Sequence, residues 1–198
     1  MIRIALIAGS QRRGSLNAAL LSHVAQRLAG RAIRDPILPG DHDLPLFDQD
    51  IEEDAVLVGR VDRLNARFAR SDAIIVASPE YNGQLTPYLK NVVDWVSRSA
   101  HIRAGSVRPF QGQPVLLCSA STGGSGGALG IPSARALFGY VGCNVMADAL
   151  CVPYADQALL GGAFFFDDEF EQRIDAAVAH LLDVAAATSA PWCASGAA

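Results

Sequence analysis

Apolar residues fall along this chain in two alternating rhythms. Ile2, Ile4, Ala5, Leu6, Ile7 and Ala8 run almost without interruption, as a strand does when helices cover both faces of a parallel sheet. Leu16, Leu20, Val24 and Leu28 then recur at helical spacing, the stripe that an amphipathic helix buries. A second strand is expected over residues 32–38, interrupted by Pro36, and a helix over 53–69 with Val58, Val61, Leu64, Ala66 and Phe68 supplying apolar surface. Residues 73–77 read as a third buried strand, 84–99 as a helix with Leu85, Leu89, Val92, Val93 and Val96 toward the sheet, and 114–120 as a fourth strand. A helix around 129–140, a fifth strand over 144–152 and a last helix over 169–187 complete the series. Strands alternating with helices predict a doubly wound α/β sandwich of three layers around a five-stranded parallel sheet. No internal repeat is visible.

Composition narrows this picture without redirecting it. The 198 residues suit one domain, expected over 1–188, with the small and polar stretch 189–198 as a flexible tail. A net charge of −4, with no basic run beyond Arg12-Arg13, argues against nucleic acid as a partner. No stretch approaches the roughly 20 unbroken apolar residues of a membrane span, and the chain starts directly in a strand, so the expected location is the cytoplasm. Cys118, Cys143, Cys151 and Cys193 are scattered and read as buried or idle thiols. His23, His42, His101 and His180 are equally isolated, so no protein metal site is expected.

Three loops carry the candidate chemistry, and in a doubly wound sheet all three open on its carboxyl edge. The first, Gly9-Ser10-Gln11-Arg12-Arg13-Gly14-Ser15-Leu16-Asn17, joins a strand to a helix with Ser15 as N-cap. Main-chain N–H groups, the helix dipole, the hydroxyls, Asn17 and Arg12 suit a phosphate monoester there; the alternative is a well-capped helix after a glycine turn. Neither G-x-G-x-x-G nor the Walker pattern is present. The second loop, Ser78-Pro79-Glu80-Tyr81-Asn82-Gly83, offers an aromatic surface and an amide for the edge of a ring. The third, Ser121-Thr122-Gly123-Gly124-Ser125-Gly126-Gly127, lets a flat ring approach bare main chain, with hydroxyls nearby. A phosphate at one end and a planar hydrogen-bonding ring at the other describe a mononucleotide. Flavin mononucleotide (FMN) fits best, at the switch point of a flavodoxin-like sheet of strand order 2-1-3-4-5.

Two further features are legible on the helix behind the second loop. Tyr88 and Trp95, seven residues apart, share a face turned away from the sheet, which suggests a contact between subunits; the alternative is a fold-back of the chain's own loop. Asp94 and Arg98 form an i,i+4 pair worth about 0.3 kcal/mol if exposed. The Pro- and Asp-rich segment 39–50 is longer than ordinary connections, and such loops are often functional or flexible.

The motifs Gly9-Ser10-x-Arg12-x-x-Ser15-x-Asn17, Pro79-Glu80-Tyr81-Asn82-Gly83 and Thr86-Pro87-x-Leu89-Lys90-Asn91-x-x-Asp94-Trp95, with the turn from Ser121 to Gly127, resemble those of the NADPH-dependent FMN reductases, a family that includes quinone, chromate and azo-dye reductases. The resemblance implies that Ser10, Arg12, Ser15 and Asn17 hold the FMN phosphate. By the same resemblance Pro79, Glu80, Tyr81 and Asn82 border the isoalloxazine and ribityl chain, and Ser121, Thr122, Gly123 and Gly124 meet the far side of the ring. It further implies a homodimer or homotetramer, for which Tyr88 and Trp95 are the candidate contact residues, and a structural role for Lys90. Loops 39–50 and 100–113 carry no transferable motif, which leaves the acceptor open.

The expected activity is that of an FMN-dependent NAD(P)H oxidoreductase: ping-pong hydride transfer from NADPH or NADH to a small acceptor such as a quinone, free flavin, azo compound or metal oxyanion. The cofactor carries such chemistry, and no catalytic side chain is required. Glu80 as a general acid is weighed against Glu80 as an ordering group for its loop. Arg103 or Arg108 either meets the 2′-phosphate of NADPH or is simply solvated. The alternative function is a flavodoxin-like electron carrier or redox-responsive FMN protein without small-molecule turnover.

Overall fold

Both faces of the central strands are covered by helices, and for that reason their apolar runs do not alternate. The computed structural model describes residues 1–102 and 108–189. In chain order it forms β1 (Arg3–Ala8), α1 (Leu16–Ala25), β2 (Ile33–Ile37), α2 (Ala55–Ala69), β3 (Ala73–Ala77), a hairpin of β4 (Glu80–Tyr81) and β5 (Gln84–Leu85), and α3 (Pro87–Ile102). There follow β6 (Pro114–Ala120), α4 (Ile131–Tyr140), β7 (Asn144–Val152), α5 (Ala155–Ala158), a hairpin of β8 (Leu159–Leu160) and β9 (Ala163–Phe164), and α6 (Asp168–Ser189). The main sheet is parallel, in the order β2-β1-β3-β6-β7, which is the expected 2-1-3-4-5. Both short hairpins lie outside it and were not legible as strands, since each arm is only two residues long.

Alternate side chains of β1 divide the core. Ile4 and Leu6 pack under α1 and α6 with Leu20, Val24, Val178 and Leu181, while Ala5 and Ile7 pack on the other face with Leu64, Phe68, Leu89 and Phe138. Pro36 is accommodated because β2 is an edge strand, where a missing N–H costs no ladder bond. Among the described residues no helix is long and apolar enough to cross a membrane. The tail from residue 190, Arg103 with the 103–107 part of its loop, and Cys193 lie outside the described residues.

The helix face assigned to a subunit contact is covered by the chain itself. Trp95 is only 2% exposed; its indole N–H donates to the Pro45 carbonyl at 2.8 Å, and the Phe47 ring stands edge-on with centroids 4.8 Å apart. The Tyr88 hydroxyl lies against the His42 ring, 2.6 Å from Nε2. Between them, Asn91 accepts from the Phe47 N–H at 2.7 Å and donates to the Pro45 carbonyl at 2.9 Å. A buried indole needs an acceptor for its N–H, and the returning 39–50 loop supplies one where an apolar subunit face need not. Tyr88 and Trp95 therefore anchor this loop, as in the fold-back alternative; Trp95 is closed off as a contact residue, whereas Tyr88 is half-buried. Phe47 pins the loop, whereas Leu46 is 78% exposed. The expected Asp94–Arg98 pair is also replaced: Lys90 Nζ reaches both Asp94 oxygens at 2.7 Å. Arg98 instead forms a two-point bridge to Glu52, which matches the planar fork of its guanidinium.

His42 gives this anchored loop a pH dependence. The ring is 2% exposed, and burial holds its pKa below the ordinary imidazole value, with nearby Arg67 adding to the effect and Asp41 opposing it. The folded chain therefore binds this proton less readily than the unfolded one, so the stabilisation is complete above the unfolded pKa of about 6.5 and is lost as pH falls below it. Thermal unfolding followed from about pH 7.5 to about pH 5.5 is expected to show a falling midpoint, and His42→Asn is expected to flatten that slope.

Candidate functional site

The loops that follow β1, β3 and β6 meet at one edge of the sheet, and polar contacts tie each to the next. Gly9 closes β1, its N–H donating to the Ala77 carbonyl at 2.8 Å. A Cβ on Gly9 would lie 2.6 Å from that of Ser78, so only glycine lets the first two loops approach this closely. Ser10 is buried, and its hydroxyl accepts from the Arg12 N–H at 3.4 Å. Ser15 caps α1 by accepting from the Ala18 N–H at 3.3 Å. The first-turn N–H groups of Leu16 and Asn17 have no acceptor within the helix and present its positive end to the loop. Arg12 is exposed and has no ion-pair partner among the described residues.

Asn17 reaches this edge as the motif implies and does a structural job there. It is 3% exposed; its Nδ2 donates to the Ala120 carbonyl at 2.8 Å and its Oδ1 accepts from the Ala120 N–H at 2.9 Å. The amide thus fastens the start of α1 to the end of β6. Ser10, Arg12, Ser15, the second Nδ2 hydrogen of Asn17 and the helix terminus are the donors this edge offers to an anion.

In the second loop the Glu80 carboxylate accepts from the Ser125 hydroxyl at 3.1 Å and from the Gly130 N–H at 3.0 Å. One oxygen is engaged with the third loop and the other with Gly130 at the start of α4, which favours the ordering role over that of a free acid. Pro79 is half-buried, and Tyr81, half of its surface exposed, stands at the hairpin beside Asn82, whose φ is +53°. Thr86, quoted in the motif without a role, is fully buried: its hydroxyl donates to the Gly9 carbonyl at 2.7 Å and accepts from the Leu89 N–H at 3.2 Å. It caps α3 and joins the second loop to the first. The Thr-Pro step at a helix start was the available signal.

In the third loop the Ser121 hydroxyl accepts from the Gly123 N–H at 3.0 Å, and Thr122, Gly123 and Gly124 are exposed. A Cβ on Gly124 would sit 2.8 Å from the Tyr154 hydroxyl, so the ring of Tyr154 stands against this loop. Tyr154 has a φ of +47°, unusual for a residue with a side chain. No sequence signal marks it, because its position follows from the end of β7 folding back across the loop. The Ala155 N–H donates to the Ser121 carbonyl at 2.9 Å.

The arrangement sets hydroxyls, main-chain N–H groups and a free guanidinium at one end, with an exposed tyrosine and bare glycine main chain at the other. That donor set suits a phosphate monoester carrying a planar ring. Burial pushes the thiols of Cys118 and Cys151 up, so neither is a thiolate at neutral pH. Among the described residues no three His, Cys, Asp or Glu side chains are grouped to hold a metal ion.

Comparison with known proteins agrees with this chemistry. The family model described as NADPH-dependent FMN reductase matches residues 2–157. A quinone reductase of Escherichia coli (strain K12) is 30% identical over 127 residues, covering 64% of this chain and 64% of that protein. A 2-hydroxy-1,4-benzoquinone reductase of a Burkholderia species is 29% identical over 145 residues, 73% of this chain and 74% of that one. Among solved structures, the flavoenzyme NAD(P)H:(acceptor) oxidoreductase FerB from Paracoccus denitrificans superimposes with a TM-score of 0.79 at 26% identity, covering 94% of this chain and 98% of that chain. The chain thus spans just under two thirds of the E. coli relative and nearly all of the solved one.

The Asn17 clamp yields a direct prediction. Asn17→Ala leaves a buried N–H and a buried carbonyl unpaired and is expected to cost about 3 kcal/mol, read as a lowered urea midpoint with an unchanged m-value.

Proposed function

The chain belongs to the NADPH-dependent FMN reductase family, and on that premise we propose that it is an FMN-dependent NAD(P)H oxidoreductase whose acceptor is a small quinone. The observation that carries this reading is the convergence of three cross-tied loops with complementary chemistry at one sheet edge. The quinone class is supported by what the E. coli and Burkholderia relatives are named for. When bound, FMN would supply the redox chemistry, ping-pong hydride transfer between a reduced nicotinamide and the acceptor.

The protein's part is to bind, orient and neutralise charge. Ser10, Arg12, Ser15 and the N-terminus of α1 hold the phosphate, and Asn17 keeps that terminus in register with β6. Pro79, Tyr81 and Asn82 border the ring and ribityl chain, while Glu80 fixes their loop against the third. Ser121, Thr122, Gly123 and Gly124 face the far side of the ring, where main-chain N–H groups stabilise negative charge on it. No side chain of the site has to gain or lose a proton. A homodimer or homotetramer in the cytoplasm completes this reading, with its contact elsewhere than Trp95.

The purified protein is expected to be yellow, or to become so with added FMN, and to bleach on anaerobic addition of NADPH; catalytic NADPH consumption then follows a small quinone. A protein that stays colourless overturns the cofactor site, and bleaching without quinone turnover favours the electron carrier. The phosphate cradle has a separate test in flavin fluorescence quenching. Arg12→Ala is expected to weaken FMN about 10-fold, the loss of one charge-assisted contact, and to leave riboflavin, which lacks the phosphate, unaffected.

A further inference from the structure

Beyond the three-loop site, the geometry points to a second ligand site: a groove between α1 and the edge strand β2 that takes a small, largely apolar molecule bearing one acidic group, such as an aromatic carboxylate or sulfonate. The groove is a cavity of about 490 Å³, within the range of small-molecule sites. Leu6 and Ala8 of β1 form its floor, Leu21 and Ala25 of α1 one wall, and Pro36 and Leu38 at β2 the other.

α1 lies over the middle of the sheet, packed on β1, β3 and β6 by its buried stripe and tied to β6 by Asn17, and one face of β2 is left without a helix. The alternation along β2 shows this: Asp35 and Ile37 are buried, whereas Arg34 and Pro36 are exposed beside Ile4 and Leu6, and Leu38 is exposed just past the strand.

Charge selects the occupant. Arg12 and Arg34 line the groove, neither has an ion-pair partner among the described residues, and no acidic residue lines it. The chain as a whole carries −4, yet its first 34 residues hold six arginines and no carboxylate. With Arg12 committed to the phosphate of the first site, the free Arg34 guanidinium beside an apolar floor complements an apolar anion better than a neutral ligand or a cation. Ser10, Gln11 and Arg12 line the groove and also belong to the first loop, which makes that segment a shared wall between the two sites.

The test is equilibrium dialysis of 2-naphthalenesulfonate against the full chain saturated with FMN, so that the three-loop site is blocked. One saturable site per chain is expected, weakening with added salt. Arg34→Glu and, independently, the surface change Leu38→Glu are each expected to weaken the probe at least 10-fold while leaving FMN affinity unchanged. Naphthalene without the sulfonate is expected to bind at least 10-fold more weakly. Absence of saturable binding overturns the inference, as does binding indifferent to both substitutions or abolished by FMN. A change in sedimentation with Arg34→Glu, without loss of the probe, assigns the groove to a second copy and equally overturns it. If the protein takes up no FMN, the same titration without it still reads the groove, so the two proposals fail separately.

Discussion

One buried amide holds the working edge of this molecule together. In a parallel sheet each strand ends at its own loop, and nothing in the backbone ladder ties one loop to another. Asn17 supplies that tie by exchanging two hydrogen bonds with the main chain of Ala120, far along the sequence, where water cannot substitute. The start of α1 thereby becomes rigid relative to the end of β6. Together with the apolar stripe of α1 it holds that helix over the centre of the sheet, which leaves β2 open.

Two more polar contacts extend the constraint. Thr86 carries the first loop to the second through the Gly9 carbonyl, and Glu80 carries the second to the third through Ser125 and Gly130. Each of these side chains is spent on protein atoms, so the three loops hold their spacing without a ligand. A site preorganised in this way loses little ordering entropy when a mononucleotide binds. The groups left exposed, among them Arg12, Tyr81 and the Gly123-Gly124 main chain, are the ones a ligand can use.

The same division explains the motif behind the second loop. Asn91 and Trp95 touch the 39–50 loop, not the edge where the three loops meet. Their residue types make sense as acceptors and donors for the backbone of a long loop that would otherwise leave buried polar groups unpaired. A residue pattern characteristic of a family can therefore record how a neighbouring loop is anchored as readily as how a cofactor is bound.

The order of elements, the parallel sheet and the three converging loops were legible in the chain itself, because hydrophobic period and loop position are local properties and a doubly wound sheet places its loops by rule. So were the cap at Ser15 and the turn chemistry of the glycine-rich loop, which depend on a few consecutive residues. What each polar side chain does was decided by tertiary structure. Asn17 shows its structural role only once Ala120 is beside it, Trp95 reads as a subunit contact until Pro45 accepts its N–H, and Tyr154 carries no signal until β7 folds back over Gly124. A hydrogen bond between residues distant in sequence depends on where both backbones lie to within a few tenths of an ångström, and no period or motif along one chain encodes that distance.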